Sequence, residues 1–430
     1  LVNHRCTIGG MTALDTGTAA TAPDTESTAP RLLSQPPAVW AIAFAAMIAF
    51  MGIGLVGPIL PTVAATLHAA PVETSFLFTS YLAVTASAMF FTSWLSTRIG
   101  TRAVMILGLS VIALAAVGCA LSPTIGALIA CRAVWGLGNA LFLSTALASI
   151  VSASGGRSEH AVIFYEAALG IGLAVGPLVG GLLGEIGWFA AFWGTASLLA
   201  VGVVALLTLV RDPGHAAQRS SIGAPFRAFA DKGLLAISVV AFLYNAGFFV
   251  TLSYTPYALE LPAVGIGLVM MGFGIGLAIA GVFIAPRLTK RYSVVQVLFW
   301  FLVAFAATHV AASLSAGSRP LLVACVVLLG VEIGAVNTIL TEAAMEATTL
   351  PRAVASSAYS GFRFFGGAIG APVGTALAVY GVGAPYAAAA VSAAVGAAIL
   401  FAVRRVVGRA DHTAVLSERT TAEDLTLGDA

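Results

Sequence analysis

The sequence predicts an all-α membrane protein with twelve transmembrane helices in two pseudo-symmetric six-helix bundles. Of its 430 residues, 59% are hydrophobic and only 9% are charged, whereas roughly a quarter of the residues in a soluble protein are charged. Uncharged apolar stretches recur along the chain, and each has the length of about twenty residues that a helix needs to cross a bilayer. Lysine and arginine are concentrated on one side of these stretches. The three observations agree on a polytopic helical membrane protein.

Twelve stretches have the length and apolarity of a membrane span. Their bounds are 38–60, 74–96, 103–122, 125–149, 161–184, 188–210, 234–256, 264–286, 294–315, 320–343, 357–380 and 384–405. Cytoplasmic loops are enriched in Lys and Arg, so these residues indicate orientation. Arg319 alone lies on one side, and sixteen lie on the side of both termini: Arg31, Arg98, Arg102, Arg157, Arg211, Arg219, Arg227, Lys232, Arg287, Lys290, Arg291, Arg352, Arg404, Arg405, Arg409 and Arg419. Both termini of this plasma (inner) membrane protein are therefore predicted to be cytoplasmic.

The longest loop between spans separates two halves of six spans each. We predict a disordered cytoplasmic tail at 1–37, an N-terminal bundle at 38–210, a cytoplasmic linker at 211–233, a C-terminal bundle at 234–405 and a second cytoplasmic tail at 406–430.

Weak internal similarity, at offsets of 193 to 195 residues, relates the two halves. The matched landmarks are Arg98 with Arg291, CRAVWG (131–136) with CVVLLG (325–330), and Arg157, Gly172 and Pro177 with Arg352, Gly367 and Pro372. Duplicated six-helix halves, with a binding site between them near the bilayer midplane, are a secondary-transporter architecture.

The stretch GIGLAVGPLVGGLLG (170–184) carries a glycine at every fourth position, namely Gly172, Gly176, Gly180 and Gly184. Residues at this spacing share one helix face, and small residues there let another helix backbone approach closely. Pro177 removes one backbone hydrogen bond and favours a bend. Two interpretations stay open for this face: a close contact that slides or rocks, or a static close-packed pair of helices.

Four motifs resemble those of the major facilitator superfamily. Residues 170–183, with Gly176, Pro177, Gly180 and Gly181, look like its fifth-span antiporter signature. LVGPILP (55–61) and R-A-V-W-G (132–136) are similar to first-span and fourth-span patterns of its twelve-span drug:proton antiporter branch, and SWLSTRIGTR (93–102) is similar to the loop between spans two and three. The resemblance covers residues 38–405 and implies export by antiport.

The loop motif keeps Arg98, Gly100 and Arg102, whereas Thr97 replaces its acidic residue. In the family, that acidic residue is thought to help lock the cytoplasmic gate through ionic contacts, and Thr97 offers only a hydroxyl. We expect the gate at the inner ends of spans two, eight and eleven, with Arg363 in the eleventh span as a further candidate residue.

Ionisable residues at membrane depth are costly and are functional candidates. Glu332 lies near the middle of span ten, Glu166 lies about two turns into span five, and Arg132 lies in span four. A carboxyl group in a cavity of low dielectric constant can exchange protons near neutral pH. We therefore expect Glu332 or Glu166 to couple proton entry to cargo exit, with Arg132 as the counter-charge. The alternative for either carboxylate is a structural pairing, for example with Arg363, and His309 is interpreted as buried and neutral.

Aromatic and polar side chains in these spans are candidates to line a substrate cavity. The candidates are Tyr165, Tyr244, Asn245, Phe248, Phe249 and Asn337. The alternative for the aromatic residues is packing in the core or against lipid. A mostly apolar cavity favours hydrophobic or amphipathic cargo, cations included, over sugars.

The sequence also excludes several classes of function. It contains no GxxxxGK[ST] motif for ATP, no cysteine spacing for a metal or disulfide framework and no constellation of a soluble enzyme, and we expect no cofactor. The net charge of +2 gives no reason to expect a nucleic-acid partner. We predict a monomeric secondary active transporter in the lipid bilayer that exports small hydrophobic or amphipathic compounds, as drugs or metabolites, by proton antiport with alternating access.

Two alternatives to export stay open. A proton-coupled uptake porter for a small organic solute would need more buried Arg, Asn and Gln than these spans contain. A ligand sensor derived from a transporter would need a sizeable signalling domain.

Overall fold

The computed structural model describes residues 36–153, 158–211, 223–315, 317–348, 350 and 352–404. This part of the chain is helical without strands, and twelve of its helices are long and apolar enough to cross a membrane. The fold class and the number of spans are therefore confirmed. The predicted tails lie outside the described residues, except for the last two positions of the first tail.

The spans begin and end close to the predicted positions. In order they are Pro37–Gly54 continued by Val56–Thr66, Pro71–Ile99, Thr101–Ala120, Ile125–Ala153, Ser158–Gly184, Trp188–Leu209, Lys232–Leu259, Ala263–Thr289, Val294–Leu314, Arg319–Glu346, Arg352–Leu377 with a 3₁₀ turn at Ala378–Tyr380, and Ala384–Arg404. A π-helical turn, Ala280–Ile284, interrupts the eighth span. An even number of spans agrees with Pro37 and Arg404 being on one side of the bilayer, and the assignment of that side to the cytoplasm stays a prediction.

The first span is interrupted at Leu55, where the sequence predicted one continuous helix. Pro58 explains the position of the break, because a proline lacks the N–H and its ring clashes with the carbonyl four residues earlier, here that of Gly54. The segment after the break runs on to Thr66, beyond the predicted end at residue 60.

The loop between the second and third spans is a single residue, Gly100. Its φ of 86° and ψ of 149° fall in a backbone region that is essentially restricted to glycine. The motif glycine is therefore required by the turn. Two residues later, Arg102 donates hydrogen bonds to the carbonyl oxygens of Val210 and Leu207, at 2.7 and 2.9 Å. A cation at this helix end also interacts favourably with the helix dipole.

Helix packing follows the same plan in both halves. In the first half, span four packs on spans two and three, and span five packs along span one. In the second half, span ten packs on spans eight and nine, and span eleven packs along span seven. Between the halves, span two lies along span eleven and span five lies along span eight. A two-fold rotation that exchanges the halves exchanges these two contacts, which is the pseudo-symmetry expected from the sequence.

The regularly spaced glycines of the fifth span face the first span of the same half. A Cβ added at Gly176 would lie 2.6 Å from the carbonyl oxygen of Met51, and Gly172 and Gly180 stand against the carbonyl groups one turn away on either side. In the second half, Gly366 and Gly370 stand against carbonyl groups of the seventh span in the same way, and Gly374 packs on Val250 of that span. The location within one half favours the static interpretation of this face.

A different set of glycines lies between the halves. A Cβ at Gly181 in the fifth span would lie 2.6 Å from the carbonyl oxygen of Ala263, and a Cβ at Gly267 in the eighth would lie 2.7 Å from that of Pro177. A close approach of backbones thus characterises the contact of span five with span eight.

The linker contains a short helix, Ala224–Ala228, that docks on the two halves. Phe226 stacks on Phe90 at the predicted cytoplasmic end of span two, with ring centroids 4.7 Å apart. Phe229 packs on Phe362 of span eleven, with centroids 5.4 Å apart. The described part of the linker is therefore packed against the ends of both spans.

Candidate functional site

Arg132 in the fourth span is completely buried among neutral groups. Its Nε and Nη1 donate long hydrogen bonds to the carbonyl oxygens of Leu77 and Gly52, each at 3.4 Å. The guanidinium carbon lies 4.6 and 4.8 Å from the ring centroids of Tyr81 and Trp135, a geometry that stabilises a desolvated cation. Its Nη2 has no hydrogen-bond partner and no described carboxylate pairs with it. The predicted counter-charge therefore faces carbonyl groups and rings of its own half.

Sequence reasoning missed two polar groups on the same face of the fourth span. The Nε1 of Trp135 and both polar side-chain atoms of Asn139 are buried without a hydrogen-bond partner. Positions 132, 135 and 139 share one helix face, so R-A-V-W-G-L-G-N contained the signal. Buried polar groups are normally satisfied, by ordered water where no protein group is available. This face is therefore suited to hold water inside the first half.

Glu332 is the one buried carboxylate among the side chains that the structure describes, with 5% of its surface exposed. It lies at the centre of the tenth span, thirteen residues after Arg319 and fourteen before Glu346. The hydroxyl of Thr308 in span nine donates a hydrogen bond of 2.7 Å to its Oε1, whereas its Oε2 is buried without a partner. The side chain thus lies inside the second half, against span nine.

Tyr244 of the seventh span lies next to Glu332. Its hydroxyl donates a hydrogen bond of 2.9 Å to the carbonyl oxygen of Ile333, the residue after Glu332. It is also close enough to Glu332, Tyr359 and Arg363 to interact with them electrostatically. The hydroxyl of Tyr359 is buried without a partner. A group of ionisable side chains therefore extends from Glu332 towards the eleventh span.

Arg363 forms the far end of this group and links the tenth and eleventh spans. Its Nη1 donates a hydrogen bond of 3.2 Å to Oδ1 of Asn337, and the amide of Asn245 donates one of 2.9 Å to its backbone carbonyl. Its Nε has no partner, and its guanidinium lies over the rings of Tyr359 and Phe364, 5.6 and 5.1 Å from their centroids. Arg363 and Asn337 are both partly exposed. Of the predicted site residues, the structure therefore groups Arg363, Asn337, Asn245, Tyr244 and Glu332.

The predicted aromatic lining of the cavity is packed in this conformation. Tyr165, Tyr244, Phe248 and Phe249 are all buried. Phe249 meets Phe78 of the first half edge to face at 5.8 Å, and the ring of Phe248 is parallel to that of Phe273 in span eight at 6.0 Å. Of these rings, Phe249 lies at the contact between the halves, and Phe248 packs within the second half. Glu166 lies on the fifth span, and its side chain is outside those that the structure describes.

The residues of the loop motif lie apart from this group. Arg98 is exposed and stacks on Trp94 at 5.4 Å, and the hydroxyl of Thr97 donates to the carbonyl oxygen of Trp94 at 2.7 Å. Thr97 thus bonds within its own helix and, among the described residues, makes no hydrogen bond to another span. Arg102 connects spans three and six of the same half.

A hydrogen-bonded contact that sequence reasoning missed joins the halves at the predicted extracellular side. The hydroxyl of Tyr257, near the end of span seven, shares a hydrogen bond with the hydroxyl of Thr74 at the start of span two, at 2.5 Å. It also donates to the carbonyl oxygen of Leu60 in span one, at 3.2 Å. We call these three residues the Tyr257 latch. It closes the two halves on that side.

Comparisons with known proteins identify the family of this chain. Residues 42–261 match the model of the Major Facilitator Superfamily. The chain is 49% identical over 339 residues to the multidrug efflux protein YfmO of Bacillus subtilis (strain 168), an alignment that covers 79% of this chain and 85% of that protein. It is 29% identical over 180 residues to the putative multidrug resistance protein MdtD of Yersinia pseudotuberculosis, covering 41% of this chain and 38% of that protein.

Solved structures show the same fold at low sequence identity. The nucleoside transporter NupG superposes with a TM-score of 0.67 at 15% identity, covering 86% of this chain and 99% of that one. The peptide transporter POT superposes with a TM-score of 0.70 at 14% identity, covering 87% and 96%. The family match, the extended sequence identity and the twelve-span fold lead to one conclusion: this chain is a multi-pass membrane protein of the major facilitator superfamily.

Proposed function

We propose that this transporter exports small hydrophobic or amphipathic compounds in exchange for protons, by alternating access, across a plasma membrane with both chain termini in the cytoplasm. The 49% identity to a multidrug efflux protein over most of both chains supports export of such compounds. The observation that carries proton coupling is the buried Glu332, whose Oε2 is left without a partner in the middle of the bilayer span.

A buried carboxyl group is neutral unless an ion pair compensates its charge, because desolvation of the charged form is expensive. The neighbour of Glu332 is a neutral hydroxyl, that of Thr308. Loss of the proton therefore requires water or a cation to reach Oε2. Arg363 belongs to the same group of side chains and is the candidate for the cation that reaches Glu332. A movement that brings Glu332 and Arg363 together would release the proton.

The contacts of Tyr244 connect this chemistry to helix movement. Its hydroxyl holds the backbone of the tenth span at Ile333, directly beside the carboxylate. Its neighbour Asn245 holds the backbone of the eleventh span at Arg363. A shift of the seventh span therefore alters the positions of both the acid and the cation.

Glu332→Gln tests the proposal in proteoliposomes loaded with chloramphenicol and a pH-sensitive dye. The matched control is Glu342→Gln, which removes a carboxylate from the same helix nearer its end. We expect Glu332→Gln to abolish acceleration of efflux by an imposed proton gradient while substrate exchange without a gradient continues. Glu166→Gln is measured in parallel, because the sequence left both carboxylates as candidates. Coupling that survives in both single variants and in the double variant would refute the carboxylate mechanism.

A further inference from the structure

We infer that the binding site prefers amphipathic compounds that carry an acidic group, and that Arg363 with Asn337 recognises that group. This inference rests on the proposed export function and names the cargo class, for which the sequence allowed cations as well. The first observation is that two arginines well inside the described spans lack a carboxylate partner. Arg132 is buried and Arg363 is partly exposed, and neither has a carboxylate partner among the described side chains.

The position of Arg363 fits a ligand rather than lipid. It lies eleven residues into the eleventh span, which is about 16 Å along the helix at about 1.5 Å per residue. A partly exposed arginine at that depth is very unfavourable in hydrocarbon, so such residues face the bundle interior or a water-filled cavity. Spans ten and eleven make few contacts with each other, and the hydrogen bond from Arg363 to Asn337 bridges them.

Two donors at this place have no acceptor in the part of the chain that the structure describes, and one of them, Nε of Arg363, is buried. Oδ1 of Asn337 accepts from Arg363, so its amide nitrogen remains available to donate. Nε of Arg363 is a donor without a partner. A guanidinium and an adjacent amide recognise a carboxylate through several charge-assisted hydrogen bonds.

The surroundings of the guanidinium select for an apolar body attached to the acid. Phe364, 5.1 Å from the guanidinium carbon, is partly exposed. Phe362 and Phe365, on either side in sequence, are partly exposed as well. An aromatic acid can place its carboxylate on Arg363 and its ring against Phe364. A lipophilic cation would instead meet the positive charge of Arg363, while the one buried carboxylate of the described spans, Glu332, lies against span nine and accepts from Thr308 through Oε1.

Three probes with one pyrenylbutyl body test this preference: 1-pyrenebutyrate, its primary amide, and the trimethylammonium analogue. Binding to the full chain in detergent is measured by fluorescence anisotropy, which does not depend on proton coupling. The variants are Arg363→Gln, Arg363→Lys and the matched charge control Arg404→Gln at the end of the twelfth span. We expect Arg363→Gln to weaken binding of the acid by about tenfold or more and binding of the amide by less than about twofold. Arg363→Lys should restore part of the affinity, and Arg404→Gln should leave it unchanged.

Several results overturn the inference. One is tighter binding of the trimethylammonium probe than of the acid by the unaltered chain. Another is an equal loss of affinity for all three probes in Arg363→Gln, which would indicate a structural role. A third is an acid affinity that the variant leaves unchanged.

Transport then separates this inference from the proposed function. Export of a monovalent acid against one proton moves two positive charges inward per cycle, export of the amide moves one, and export of the cation moves none. A negative-inside potassium diffusion potential at equal pH should therefore accelerate efflux of the acid most. Acid-selective binding without any response of efflux to proton gradient or potential would contradict proton antiport and leave the recognition by Arg363 standing. Proton-driven efflux of all three probes without selectivity for the acid would support proton antiport and contradict the recognition of an acidic group by Arg363.

Discussion

Removing the hydroxyl of Tyr257 should open the predicted extracellular side. This hydroxyl makes two hydrogen bonds between the halves, to Thr74 and to Leu60. Each is a neutral hydrogen bond with a net contribution of about 1 kcal/mol. Tyr257→Phe therefore destabilises the closed state by about 2 kcal/mol, which shifts the equilibrium between closed and open by a factor of about 30. Thr74→Val removes one of the two bonds, so its expected shift is about fivefold.

The matched control is Tyr386→Phe, because the hydroxyl of Tyr386 bonds with Thr255 at 3.0 Å inside the second half. It loses a buried hydroxyl of the same kind without breaking a contact between the halves. Spin labels at Thr66→Cys and Pro262→Cys, in a background without the native cysteines, report the distance between the halves by electron–electron double resonance. We expect the long-distance population to increase in Tyr257→Phe and to stay unchanged in Tyr386→Phe. Identical distance distributions in both variants would refute the latch.

Three further predictions test the packing. Gly176→Ala places a Cβ 2.6 Å from the carbonyl oxygen of Met51 and should lower the free energy of unfolding by about 1–3 kcal/mol. Gly126→Ala is the control, because its Cβ meets nothing within 4 Å. Thermal unfolding in detergent compares the two variants, and equal melting temperatures would contradict the close packing. Gly100→Ala and Gly100→Asn should each lower the free energy of unfolding by about 1–3 kcal/mol, seen as a lower melting temperature, because only glycine tolerates that backbone geometry. An Asn variant that melts at the same temperature as the unaltered protein would show that the turn adapts. Phe226→Ala loses a ring pair worth about 0.5–1.5 kcal/mol beyond its buried area. Trypsin should therefore cleave the linker of this variant faster than the linker of the control variant Phe189→Ala. Equal cleavage rates would argue against docking of the linker helix.

Patterns local in the sequence predicted the fold well. The periodic alternation of apolar stretches and basic loops determines the number of spans, because the bilayer imposes one length on every helix. The break at Leu55 was not predicted, although the sequence carried the signal for it, because Pro58 disfavours a regular helix through Gly54. The sequence identified Gly100 as part of a loop motif. It did not predict the backbone angles of the single-residue turn, which explain why glycine is needed there.

Tertiary partners were not predictable in the same way. The spacing of Gly172 and Gly176 indicated a close helix contact, but nothing in the stretch identified span one as the neighbour. Glu332 was correctly placed near the middle of its span, while its contact with Thr308 depends on the rotation of span ten against span nine. The Tyr257 latch joins positions 183 residues apart, and neither tyrosine nor threonine at a span end carries a distinctive local pattern.

The eighth span places the contact between the halves next to the tenth span, which carries Glu332. On one side, Gly274 packs against the backbone of Ala174 in span five. On the other side, the carbonyl group of the preceding residue, Phe273, packs directly against Gly330 of span ten, two residues before Glu332. Close-packed backbones without intervening side chains cannot absorb a displacement by changing rotamers, because the interior is densely packed. A movement of span eight along span five must therefore move span ten as well. Packing of this kind links the contact between the halves to the surroundings of Glu332, a link that the proposed mechanism of alternating access requires.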